Sequence, residues 1–422
     1  MPELSRRLGT IDAVVIGLGS MMGAGVFAAF GPAARAAGAG LLIGLAIAAA
    51  IAYCNATASA QLAAVYPTSG GTYIYGRERL GPWWGFAAGW GFLVGKTASC
   101  AAMALTIGTY ALAAGPWWAQ RLVAVIAVIG LTALNYRGVT KTAVLARILL
   151  ACTLVALAVV VIAIAVAGVH PSNLSGASVW SSVTVYGVLQ SAGLLFFAFA
   201  GYARIATMGE EVRDPTRTIP RAIIVAFGIA VVVYLVVGVA VLLAAGPERL
   251  ARSAAPLAEA LRAAGATPLL PVAAVGATLA SLGALLALIA GIGRTTLAMA
   301  RHRDLPAWLA AVHPRYQVPH HAEIALGVVV CVLAATIDLR GAIGFSSFGV
   351  LIYYAIANAS AYTQPAAQRR WPRVLNVCGL VGCLLLVATL PWQSVVVGLG
   401  VFAIGLTGRA IAQRSFTDPR RN

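Results

Sequence analysis

Two short runs in this chain place glycine and alanine where side chains cannot shield the backbone. GSMMGAGVF spans Gly19 to Phe27, and FAFAGYARIATMGEEVRDPTRTIPRAI spans Phe197 to Ile223. Each begins as apolar helix and meets a small-residue break, at Gly23-Ala24-Gly25 in the first and at Gly201 in the second. In hydrocarbon, unpaired backbone N–H and C=O groups are costly, so a helix is interrupted only where it lines a cavity. N–H groups freed at Gly23-Ala24-Gly25, at the start of a half-helix, suit a carboxylate, helped by the positive helix end. Carbonyls freed at Phe197, Ala198 and Ala200 suit an ammonium group. Together they match a zwitterionic α-amino acid. The alternative is that Gly23-Ala24-Gly25 is a packing surface, because small residues let membrane helices approach closely.

The elements that must position these breaks follow from composition. The chain is 61% hydrophobic and 10% charged, with a mean hydropathy of +0.90, which fits a polytopic membrane protein and excludes a soluble domain. A bilayer crossing needs about 20 apolar residues. On that count the sequence predicts twelve spans, at 11–34, 39–64, 83–113, 119–136, 142–168, 182–209, 221–245, 267–297, 322–337, 341–362, 374–390 and 392–411. The ninth and eleventh are short, and the loops leave no room for a soluble domain.

Basic residues outnumber acidic ones, 29 to 12, for a net charge of +17. They fall between apolar spans and form no aromatic-interleaved stripe, so nucleic-acid binding is excluded. With a cytoplasmic N-terminus, inner loops hold most of them, including Arg6, Arg7, Arg77, Arg79, Lys141, Arg213, Arg301, Arg303, Arg369 and Arg370. The C-terminal tail adds Arg409, Arg414, Arg420 and Arg421. Outer loops hold Arg35, Arg121, Arg249, Arg252, Arg262 and Arg340. That bias of about threefold predicts both termini on the cytoplasmic side of the plasma membrane. MPELSRRLGT reads as the start of a retained first helix rather than a cleaved signal.

Other chemistries lack their residues. GLGSMMG (Gly17 to Gly23) mimics a dinucleotide fingerprint without the strand–turn–helix unit or the downstream acid it requires, and no GxxxxGK[ST] occurs for ATP use. The six cysteines lie within spans and form no CxxC. The five histidines (His170, His302, His313, His320, His321) are placed in loops, and no span holds an acid near its centre. No metal or other cofactor is expected, and a membrane enzyme would need clustered acids or ligands.

GEEVRDPTRTIPRAI (Gly209 to Ile223) after a glycine-broken sixth span, with SMMGAGVF in the first, resembles the amino acid–polyamine–organocation (APC) superfamily of permeases. PTSGGTYIYGRERLG (Pro67 to Gly81) and AMARHRDLPAWLAAVHPRYQVPHHAE (Ala298 to Glu323) fall in the matching loops. The resemblance covers residues 8 to 365. It implies an all-α membrane protein with a LeuT-like fold, a single polytopic unit over residues 1–422. Residues 11–168 and 182–362 would form inverted repeats of five spans, and 374–411 two added helices. It implies a secondary transporter working by alternating access on a small-molecule amino acid. A polyamine or amine exchanger of the same fold, or an amino acid sensor derived from one, is the alternative. Met21, Gly23, Ala24 and Gly25, with Phe197, Ala198, Ala200 and Gly201, take the substrate-binding positions. Phe197 stands where relatives carry an aromatic gate; its other reading is core packing within FFAFAGY.

Two positions depart from the family. The span-five lysine of many relatives, linked to proton coupling, is absent, with Thr153 near its place. Tyr202, Ala203 and Arg204 follow the span-six glycine where an acid is common. Lys96 is the compensating candidate. It lies about 13 residues into the third span, near 20 Å along a helix axis, flanked by Thr97 and Ser99. A desolvated lysine there can bind and release a proton, or it is a structural lysine bonded to the carbonyls of a broken helix. Glu210 and Arg294 form a candidate ion pair closing an inner gate, with Glu211 read as capping or headgroup contact. Arg147 reads as snorkelling to the interface. Arg204 stays open between substrate, gate and structure. Uptake versus export, the coupling ion and oligomeric state are not written in the sequence.

Overall fold

The computed structural model describes residues 8–68, 70–137, 143–209 and 211–417. Arg6, Arg7, Lys141, Glu210, Arg420 and Arg421 lie outside the described residues, and of Arg414 only the backbone is described. Among the described residues the chain is helical, with an isolated parallel bridge between Leu8 and Val212. In lipid this is the economical solution, because a helix satisfies its backbone groups within one segment.

The first apolar stretch gives three helices, α1 (Thr10–Met21), α2 (Ala24–Ala28) and α3 (Phe30–Ala37). Next come α4 (Leu41–Val65), the short loop helix α5 (Thr72–Leu80), α6 (Pro82–Ala111), α7 (Trp117–Tyr136) and α8 (Ala143–Ala167). In the second half α9 (Val185–Phe199) passes through a 3-10 turn at Ala200–Tyr202 into α10 (Ala203–Ala206). Then follow α11 (Pro215–Arg252), α12 (Pro256–Ala263), α13 (Leu270–Arg301), α14 (His320–Thr336), α15 (Leu339–Tyr362), α16 (Arg373–Thr389) and α17 (Trp392–Thr417).

Among the described residues ten helices are long and apolar enough to cross a membrane, which makes this a multi-pass membrane protein. Two shorter apolar helices, α14 and α16, each of 17 residues, occupy the places of the short ninth and eleventh stretches. Burial sorts the helices into an inner and an outer set. The apolar window of α6 is 89% buried, whereas that of α17 is 11% buried. α6 packs against α13 and α15 and forms the axis of the molecule. Exposed side chains such as Val166, Ile126 and Ile404 belong to the outer set.

Three features depart from the sequence reading. The seventh helix begins at Pro215 rather than near residue 221, so all of the expected RDPTRTIP loop but Arg213 and Asp214 is helical. Proline fits there because the first helical residue needs no N–H partner. Its far end bends at Gly246, whose φ of 71° only glycine adopts readily, just before Pro247. His320 and His321 form the first turn of α14 instead of lying in a loop. Arg147 does not merely snorkel: it makes an ion pair with Asp12, which also accepts the Gly9 N–H at 3.0 Å, tying α8 to the start of α1.

Backbone and side-chain contacts gather the arginine-rich loops on one face. Leu8 N–H donates to Glu211 O at 3.2 Å, and Arg213 N–H donates to Leu8 O at 2.9 Å. Arg79 donates to Thr363 Oγ1 at 3.1 Å, and Arg370 to Thr216 O at 2.9 Å. At the other end of α6, Tyr110 donates to Phe27 O at 2.8 Å and accepts from Leu257 N–H at 3.3 Å.

Candidate functional site

The helix interruptions meet each other. α1 stops at Met21, Gly23 is extended (φ −90°, ψ −142°), and helix resumes at Ala24. α9 tightens into its 3-10 turn directly opposite. A Cβ on Gly25 would stand 2.5 Å from Ala198 Cα, and one on Gly201 would stand 2.4 Å from the carbonyl carbon of Ser20. No side chain fits at either point, so these two glycines are where the two backbones touch. Gly23 faces elsewhere: its Cβ would be 2.7 Å from Ala284 Cβ on α13 and 3.2 Å from Met103 Cε on α6. Close packing of these small residues brings the two sequence-predicted runs together. Met21, Gly23, Ala24, Gly25, Phe197, Ala198, Ala200 and Gly201 are all buried.

Carbonyls at the interruptions are held by side chains from three other helices. The Tyr234 hydroxyl on α11 lies 2.7 Å from Met21 O and 2.9 Å from Ala198 O, its single proton shared between the two strands of the crossing. Lys96 Nζ on α6 donates to Ala200 O at 2.8 Å, and the Tyr354 hydroxyl on α15 donates to the same oxygen at 3.3 Å. Of the two readings of Lys96, the structure displays the bond to a carbonyl of the interrupted helix. Tyr234 was missed by sequence reasoning, and within VVVYLVVG it gives no signal. Phe197 is 6% exposed; its neighbours Phe196 and Phe199 make the ring contacts, with Tyr354 at 5.8 Å and Tyr234 at 5.0 Å between centroids. Thr153 is spent within its own helix, donating to Leu149 O at 2.8 Å.

A second group lies where α10 ends. Glu211 makes an ion pair with Arg294 of α13 and lies 3.6 Å from Arg204. Arg204 also donates to Thr207 Oγ1 at 2.9 Å. This corrects the reading of Glu211 as a capping or headgroup residue, and it gives Arg204 a partner. The physical reason is the pairing of Leu8 with residues 211–213, which holds this loop against the helix ends. Burial alone would raise the Glu211 carboxyl, but the charges of Arg204 and Arg294 outweigh it and hold it below the usual glutamate value.

A third group was not foreseen. Asp304, after α13, accepts from the Tyr73 hydroxyl at 2.7 Å and pairs with Arg77 at 3.3 Å and Arg409 at 2.8 Å. Arg409 lies over the rings of Trp83 (4.6 Å) and Phe86 (4.9 Å) and donates to Pro82 O at 2.7 Å. The motifs YIYGRERLG and RHRDLP carry Tyr73, Arg77 and Asp304, but nothing in the sequence pairs them with one another or with Arg409. One more buried acid escaped notice: Glu323, 2% exposed in the first turn of α14, packs against Gly293 beside Arg294.

Paired helix interruptions at the core of a multi-pass helical protein are a feature of many transporters. Comparison with known proteins narrows the class. The amino acid permease family model matches residues 8–406. An uncharacterized transporter of Mycobacterium tuberculosis is 60% identical over 411 residues, covering 97% of this chain and 92% of that protein. The branched-chain amino acid permease of Bacillus subtilis is 26% identical, covering 96% and 92%. The chloroplastic cationic amino acid transporter 7 of Arabidopsis thaliana is 27% identical, covering 93% and 71%. The chain belongs to the amino acid permease family of the APC superfamily. It is a transporter and not an enzyme.

Proposed function

We propose that this chain is a secondary active transporter that moves an amino acid across the plasma membrane by alternating access. It would have twelve spans in a LeuT-like arrangement, with both termini cytoplasmic and no use of ATP. The substrate lies where α1 and α2 meet α9 and α10, and Met21, Gly23, Ala24, Gly25, Phe197, Ala198, Ala200 and Gly201 surround it. The observation that carries this reading is the mutual contact of the two interruptions, Gly25 on Ala198 and Gly201 on Ser20, deep within a permease-family chain. An interrupted helix is tolerated in a membrane only where protein or a lined cavity satisfies it, and paired interruptions in the two halves mark the binding place of many carriers. Branched-chain and cationic relatives stand at nearly equal identity, so relatedness alone leaves the side-chain class open. Glu211, Arg204 and Arg294 form a closing ion-pair group on the arginine-rich face.

Thermal-shift screening of the purified chain against amino acids and common polyamines, followed by uptake and counterflow in proteoliposomes, tests the reading. Saturable uptake and counterflow of an amino acid are expected. Binding without flux would make the protein a sensor, and response to polyamines alone would make it an amine exchanger.

A further inference from the structure

Lys96, Cys100 and Met103 stand at i, i+4 and i+7 on α6, which places them on one stripe of the helix, and all three are buried. This stripe reaches both interruptions: Met103 abuts Gly23, and Lys96 donates to Ala200 O at 2.8 Å. Lys96 is 3% exposed, and among the described residues no carboxylate forms an ion pair with it. Its partner is instead the Ala200 carbonyl, in the 3-10 turn where α9 tightens before α10 and the regular α-helical bonding ladder is broken. Lys96 thus brings a positive group to the place where the cationic part of a ligand would otherwise find its acceptors. The remaining acceptors nearby, Met21 O and Ala198 O, are held by Tyr234.

We propose that Lys96 is a specificity-determining residue: it makes the carrier accept amino acids with uncharged side chains and reject those with cationic side chains. The inference rests on the reading that substrate lies at the interruptions. Its physics is that of a second like charge in a site of low effective dielectric, where repulsion is several times stronger than in water. A cationic side chain entering the site gives up its own hydration, and among the described residues no carboxylate pairs at Lys96 to replace it. The α-ammonium and α-carboxylate are common to all candidate substrates, so the discrimination falls on the side chain alone.

Two pairs of probes isolate that charge: norleucine against lysine, and citrulline against arginine. Dissociation constants are measured for the intact chain in lipid nanodiscs, for wild type, Lys96→Gln and Lys96→Arg. We expect each uncharged member to bind wild type at least about tenfold more tightly than its cationic partner, the size of a modest like-charge repulsion in a protein interior. Lys96→Gln collapses that ratio towards unity, and Lys96→Arg retains it. Equal binding of the paired probes by wild type, or an unchanged ratio in Lys96→Gln, overturns the proposal and leaves the transporter reading standing. If no amino acid binds wild type at all, both fall together. Should Lys96→Gln not fold, the wild-type ratio and its retention in Lys96→Arg still decide, since a wild type that binds lysine as well as norleucine refutes the inference unaided.

Discussion

One phenol joins the two halves of the candidate site. Tyr234 reaches Met21 O and Ala198 O across the crossing of α1 and α9, and it is 1% exposed. Tyr234→Phe removes the shared proton and keeps the ring, leaving two buried carbonyls without that donor. Each such loss costs about 1–3 kcal/mol, so a clear fall in melting temperature is expected, together with weaker ligand-induced stabilisation. An unchanged melting curve would show that the hydroxyl is dispensable. The glycines act by what they lack. Gly201→Ala would place a methyl 2.4 Å from the Ser20 backbone, and it is expected to abolish uptake while Gly228→Ala, where a Cβ meets nothing within 4 Å, leaves it intact. Sequence made the glycines visible because an interruption in an apolar run is itself a signal. It could not reveal Tyr234, since a tyrosine among valines looks the same whether its hydroxyl meets a carbonyl or a headgroup.

At the scale of elements, two ion-pair groups hold helix ends on the arginine-rich face, and they differ in burial. Asp304 and Arg409 have side chains 3% and 2% exposed, so breaking the pair by removing one partner leaves a buried charge. Loss of one partner of such a pair costs about 3–5 kcal/mol. Arg409→Met and Asp304→Asn should each lower the melting temperature strongly, and the double variant should be less destabilised than their sum. Strict additivity would mean the two act independently. Glu211 behaves differently because its side chain is 22% exposed and its carboxyl is open to solvent protons. Its folded carboxyl lies below the ordinary glutamate value of 4.5. The contribution of its pairing is therefore complete above that value and is lost as pH falls through the lower folded one. Melting temperature is expected to be flat in this respect between about pH 8 and about pH 5 and to fall below that, with Glu211→Gln removing the acid limb. Reversal at both sites, Glu211→Arg with Arg294→Glu, should recover uptake that either reversal alone abolishes. No recovery would separate the pair from gating.

Across the whole molecule, the layout of apolar spans was legible because the bilayer imposes it: a fixed thickness demands a run of fixed length. Helix ends and ion-pair partners were not, because they depend on which loops fold over which helices. The Arg147 pairing with Asp12 and the Arg409 pairing with Asp304 join residues far apart in the chain; the sequence shows Arg147 as a snorkelling residue and Arg409 as a tail charge, and names no acid partner for either. Several arginines do gather: Arg77 and Arg409 share Asp304, while Arg79 bonds Thr363 at the end of α15 and Arg370 bonds Thr216 at the start of α11. α6 connects the two sides, since Pro82 lies against Arg409 while Tyr110 lies among Phe27 and Leu257 at its other end. Its 30 residues extend about 45 Å along the axis, enough to separate two aqueous faces. On the proposed orientation, the Pro82 end faces the cytoplasm. In a variant whose native cysteines are replaced, Arg303→Cys should resist a membrane-impermeant maleimide on intact cells and react after permeabilisation. Leu112→Cys, just beyond the far end of α6, should react on intact cells. The opposite pattern would invert the orientation and place the ion-pair groups on the outer gate.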